Sequence, residues 1–122
     1  MIRDLQSGKL KIFGSTELTV YRADTFFARL FGLLGSPRLE AHEGLVLDRA
    51  SSIHTCFLRY PIDVLFCNAD YYILALKSDL RPWRFSRYIK NTSIIIELPA
   101  GTISKLQITA GIRLAIKWDV TS

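Results

Sequence analysis

The sequence predicts a β-rich α+β fold, with six to seven strands in a curled antiparallel or mixed sheet around one core and one short helix. Three observations carry that expectation. Short runs rich in β-branched and aromatic residues recur along the chain, turn residues separate them, and one stretch alone shows clear helical periodicity. With 122 residues, 49% of them apolar, and only four prolines and seven glycines, the chain has enough apolar surface for one packed domain over 1–122.

The elements follow in order. Leu10-Lys11-Ile12-Phe13 and Glu17-Leu18-Thr19-Val20-Tyr21 open the chain as a hairpin or a pair of neighbouring strands, with Gly14-Ser15 between them. Asp24 or Thr25 can cap a short helix in which Phe26, Phe27, Leu30, Phe31, Leu33 and Leu34 recur at three and four spacing. Gly35 and Pro37 supply its stop signal. Gly44-Leu45-Val46-Leu47 reads as the next strand, and the polar residues 48–52 as a connection. Residues 62–67 form a run broken only by Asp63, as expected of a central strand covered on both faces.

Asn68-Ala69-Asp70 supplies turn chemistry, and 71–76 returns as the partner strand of a hairpin. Residues 93–98 make a further strand, ended by Pro99-Ala100-Gly101. A single helical turn is expected around 103–106, and the last strand over 112–118. There is no internal repeat, linker or low-complexity tract.

Composition narrows the function classes. No uncharged apolar run reaches the length of about 18 residues that a spanning helix needs. The start Met1-Ile2-Arg3-Asp4-Leu5-Gln6-Ser7 does not read as a secretory signal, which points to a cytoplasmic location. Cys56 and Cys67 do not have the spacing of a C-x-x-C redox pair or a sulfur-based zinc site, and they read as reduced core thiols, with a disulfide across a hairpin as the alternative. The net charge is +5, and it is concentrated. Over 77–90 five cations (Lys77, Arg81, Arg84, Arg87 and Lys90) face one anion, Asp79, so this segment contributes +4 of the total.

The candidate chemistry lies in 53–66, which gathers His54, Thr55, Cys56, Arg59 and Asp63. Asp63 directly precedes an apolar run, where an unpaired charge is costly, so it needs a partner. Arg59, Thr55, His54 and the backbone amides of the preceding loop are the nearest, with Arg59 able to form a bidentate bond. Structurally, Asp63 would tie down the loop before its strand; functionally, it would be an acid or base tuned by burial. His54 is the one side chain of the group with a free pKa near neutrality, and with Cys56 or Thr55 as nucleophile it would suit hydrolase chemistry. No glycine-rich elbow accompanies them, and His54 with Asp63 falls short of a metal ligand set. No metal and no cofactor is expected.

Four segments stand out together: Ala28-Arg29-Leu30-Phe31-Gly32-Leu33-Leu34, Gly44-Leu45-Val46-Leu47, the block from His54 through Phe66, and Glu97-Leu98-Pro99-Ala100-Gly101. In this order they resemble the bacterial and archaeal family known as domain of unknown function 192. The resemblance covers roughly 20–117 and implies a compact β-rich domain with no established reaction, substrate or cofactor. It also implies that many relatives carry an export signal. Where the family often has a Gly-Asp pair before its last strand, this chain has Ala110-Gly111-Ile112-Arg113.

The leading functional expectation is a non-enzymatic or accessory domain that binds a small or acidic ligand. Its site would be formed by His54, Thr55, Arg59 and Asp63 on one side and Arg81, Arg84 and Arg87 on the other. A hydrolase using Asp63 and His54, with Cys56 as a further catalytic candidate, is the first alternative. The second is a nucleic-acid-binding module, because Arg81-Pro82-Trp83-Arg84-Phe85-Ser86-Arg87-Tyr88 interleaves cations with aromatics. The competing structural expectation is that Trp83 and Tyr88 cover the edge of the core. Oligomeric state is not legible at this level.

Overall fold

The computed structural model describes residues 5–12, 16–24, 38–52 and 60–120. Within them lie β1 (Ser7–Lys11), β2 (Glu17–Asp24), β3 (Glu43–Asp48), β4 (Ile62–Cys67), β5 (Ile73–Leu80), β6 (Ile94–Pro99), α1 (Thr102–Leu106) and β7 (Ala115–Trp118). All seven strands join one sheet in the order β5-β4-β6-β3-β2-β1-β7. The sheet is mixed: β2 and β3 run parallel, and every other neighbouring pair is antiparallel. This is the β-rich architecture the sequence predicts. The expected helix over 26–34 lies outside the described residues.

The two faces of the sheet bury separate apolar layers. Along β4, Leu65 and Cys67 belong to one cluster while Ile62, Val64 and Phe66 belong to the other, as the two-residue period of a strand requires. The first layer draws on every strand from Leu10 to Trp118 and receives Ile103 of α1. The second is narrower and centres on β3, β4 and β6, with Leu39, Ala50, Tyr60 and Ile89 packed over it. All six residues of β4 are buried, which explains why its sequence is nearly continuous in apolar residues.

The edges of the sheet do not remain apart. The segment before β7 meets the start of β5: Ile73 N–H donates to Ile112 O at 2.9 Å, Gly111 N–H to Ile73 O at 2.8 Å and Leu114 N–H to Tyr71 O at 3.0 Å. Tyr72 and Arg113 form an antiparallel bridge there, with the Arg113 guanidinium 5.7 Å from the centre of the Tyr72 ring. These bonds account for one departure from expectation. Residues 112–114 are extended, but they serve the far edge of the sheet and leave β7 to begin at Ala115.

A second departure is the length of β5, which continues through Lys77, Ser78 and Asp79 to Leu80. These residues are exposed along a strand paired on one side by β4, where charged side chains are tolerated and discourage edge pairing. The turn into β5 is built on Asn68, whose side-chain oxygen accepts the backbone N–H groups of Asp70 and Tyr72, both at 3.0 Å. Cys67 is a free thiol in the core, pushed up to about 12 by burial, so it is an inert apolar side chain and not half of a disulfide.

Candidate functional site

Asp63 is the predicted site residue whose surroundings are clearest. The residue is 0% exposed. One carboxylate oxygen, Oδ1, accepts the N–H of Asp79 at 2.9 Å; the other, Oδ2, accepts those of Gly101 at 3.1 Å and Ile103 at 2.9 Å. Among the described residues its partners are main-chain amides from two segments distant in sequence; His54, Thr55 and Arg59, the side chains the sequence offered as partners, lie outside the described residues.

Local geometry explains the pairing. The β4–β5 register slips between Ile62 and Val64, so Ser78 and Asp79 together oppose Asp63. Asp79 takes a left-handed φ of 54° in that bulge. On the other side, Gly101 enters α1 with φ 95° and no side-chain cap, leaving the first amides of the helix to Asp63. Two of the four segments that resembled a family thus meet at this point, the carboxylate from one capping the Pro99-Ala100-Gly101 turn of the other. A buried carboxylate whose oxygens accept three N–H groups fastens its strand to the two segments that supply them.

The arginines predicted to bind a ligand do converge. Residues 81–90 arch beside β5 and enclose with it a cleft of about 600 Å³. Its floor is apolar, from Phe66, Ala75 and Leu80, and Lys77, Arg81, Arg84 and Arg87 contribute cations to its lining. Among the described residues that line it Asp79 is the one anion, and it pairs with Arg81 at 3.1 Å between exposed side chains. The remaining predicted residues, His54, Thr55, Cys56 and Arg59, lie outside the described residues. Among the described residues no three His, Cys, Asp or Glu side chains gather as a metal site would require.

Trp83, Phe85 and Tyr88 do not cover the core. They are 62%, 76% and 69% exposed, and only Phe85 contributes to the lining of the cleft. Trp83 also holds a φ of 62°, in the left-handed region that residues with a side chain rarely adopt.

Glu97 is a residue that sequence reasoning passed over. Pairing across the sheet places Lys77, Val64, Glu97, Leu45 and Tyr21 in one row on the second face. The immediate neighbours of Glu97 in that row are Val64 and Leu45, both apolar, and burial pushes its carboxyl up to about 7 although the residue keeps partial exposure. Nearby, Tyr60 is shifted upward by its own burial and then by the Glu97 charge, while the Arg38 guanidinium, 5.3 Å from its ring centre, acts the other way. Along the same face, buried Glu43 accepts the Tyr21 hydroxyl at 2.9 Å. The available signal was a lone acid inside the run Ile94-Ile95-Ile96-Glu97-Leu98.

A family model, DUF192, described as an uncharacterized ACR, matches residues 9–116. The chain belongs to this family. Two archaeal proteins named UPF0127 are similar to it. One, from Thermococcus sibiricus, is 35% identical over 102 residues, covering 80% of this chain and 64% of the relative. The other, from Pyrococcus furiosus, is 36% identical over 100 residues, covering 80% of this chain and 84% of the relative. The chain therefore spans slightly less than two thirds of the Thermococcus protein.

The DUF192 fold is also seen in two bacterial crystal structures. A Sinorhizobium meliloti 1021 protein, provisionally named a transcription regulator, superposes with a TM-score of 0.76 at 22% identity over 92% of this chain and 95% of that one. A Novosphingobium aromaticivorans DSM 12444 protein of unknown function gives 0.76 at 18% identity, over 91% and 86%. These likenesses concern the fold alone. Among the described residues of this DUF192 member, no helix is long and apolar enough to cross a membrane.

Proposed function

We propose that this DUF192 protein is a non-enzymatic binding domain that holds a small anionic ligand in the cleft between β5 and residues 81–90. The supporting observation is the cleft itself, where an apolar floor and a lining with four cations and one anion meet in a volume of about 600 Å³. Small-molecule sites commonly have this size and this combination of an apolar body with a few oriented charges. Arginine suits the role, because its planar fork can grip a phosphate or carboxylate through two hydrogen bonds. Asp63 supports the site indirectly, by fixing the bulge at Asp79 from which the chain enters Leu80 and Arg81.

Thermal unfolding in the presence of inorganic phosphate, pyrophosphate, sulfate and a dicarboxylate tests the reading, since a ligand that binds only the folded state raises the midpoint. At least one anion should stabilise the protein in a saturable way, and Arg84→Ala combined with Arg87→Ala should abolish the effect. A midpoint indifferent to every anion, or an equal response in the double variant, would refute it.

A further inference from the structure

Resting on that reading of the cleft, we infer that its anionic ligand is one unit of a longer chain, and that residues 81–88 are a platform for single-stranded nucleic acid. The geometry behind this is the surface beyond the cleft. Of the six large apolar side chains exposed among the described residues, Trp83, Phe85 and Tyr88 fall within one six-residue stretch. Phe85 contributes to the cleft lining, whereas Trp83 and Tyr88 extend the aromatic surface outside it. A site for a single small anion has no use for those two rings.

The order of residues matches the partner's repeat. Arg81, Trp83, Arg84, Phe85, Arg87 and Tyr88 give each ring a neighbouring guanidinium, as each nucleotide presents a base beside a phosphate. Unpaired bases stack on aromatic side chains and on guanidinium planes regardless of sequence, while arginines take the backbone charge. A duplex hides its base faces, so stacking on these rings requires a single strand.

Two other occupants fit less well. A second copy docking through this patch would bring the +4 of residues 77–90 against an equal charge. A lipid surface would explain exposed aromatics beside cations, but not the cleft with arginines in its lining.

The test is fluorescence anisotropy with a labelled twelve-nucleotide oligothymidylate, run beside the phosphate thermal assay. Binding should weaken steeply between about 50 and 200 mM salt, as phosphate contacts require. Trp83→Ala combined with Tyr88→Ala should cut oligonucleotide affinity roughly tenfold or more while leaving the midpoint rise with phosphate intact. No binding at low salt, or affinity unchanged in the ring variant, overturns the inference; if phosphate still stabilises the protein, the cleft reading survives. Loss of the phosphate response in the wild-type protein defeats that reading on its own. Vesicles containing phosphatidylglycerol form the control arm, and a Trp83-dependent association with them but not with the oligonucleotide would assign the surface to lipid and overturn the inference.

Discussion

Asp63 and Glu97 are two carboxylic acids on opposite faces of the same sheet, and their surroundings give them opposite roles. Asp63 has three N–H donors, so its removal leaves buried amides without acceptors. Asp63→Ala should destabilise the protein by about 3 kcal/mol or more in chemical denaturation. Asp63→Asn, which exchanges one acceptor oxygen for an amide group facing N–H donors, should also be strongly destabilising. A well-folded Asp63→Asn protein would show that the charge serves something other than the fastening.

Glu97 has burial working against its charged form. Because its folded pKa of about 7 lies above the ordinary 4.5, the folded state holds the proton more tightly than the unfolded chain between those values. Its contribution is therefore most favourable below about pH 4.5 and is lost as pH rises through about 7. Glu97→Gln should stabilise the protein at pH 8, on the order of 2 kcal/mol, and flatten the decline of stability between pH 5 and 7. Urea denaturation at pH 5 and pH 8 measures both effects, and equal wild-type and variant stability at pH 8 would refute the account.

At the scale of the element, the close packing of β3 and the turn at Trp83 can each be probed by one residue. Gly44 lies where an added Cβ would come within 2.9 Å of Leu98 Cδ2 and 3.3 Å of Glu97 O and Val20 Cγ1. Gly44→Ala should therefore cost about 1–3 kcal/mol through overpacking between β2, β3 and β6. Trp83 offers the reverse case. Its backbone conformation is one that glycine adopts without penalty, so Trp83→Gly should be more stable than Trp83→Ala by about 1 kcal/mol, read from their thermal midpoints. Neither effect follows from local propensity, which is blind both to a facing strand and to a sustained left-handed turn.

At the scale of the molecule, the sheet depends on contacts between its sequence-distant edges. The amides of Ile73, Gly111 and Leu114 should exchange with solvent as slowly as those in the interior strands, because opening them requires β5 and the approach to β7 to separate. Gly111 has φ 92°, and a Cβ added there would meet nothing within 4 Å, so Gly111→Ala should lose about 1 kcal/mol through backbone strain alone. Hydrogen exchange should then show the greatest loss of protection at the three stitching amides. Faster exchange spread evenly over the sheet would instead mean that these bonds do not govern the closure.

The sequence by itself determined the strand content, the position of the buried strand β4, the family and the concentration of positive charge over 77–90. Those properties are written locally, in the period of apolar residues, the turn chemistry and the spacing of charges. Only the tertiary structure decided what the polar residues do, because their partners lie far along the chain. Asp63 read as a site residue beside its own loop, and its donors among the described residues come from the distant Asp79, Gly101 and Ile103. Glu97 drew no separate reading within its strand, and cross-strand register set it between Val64 and Leu45. Register and closure are properties of paired strands, so no single strand could state that one carboxylate would fasten the fold while the other would bear the cost of burial.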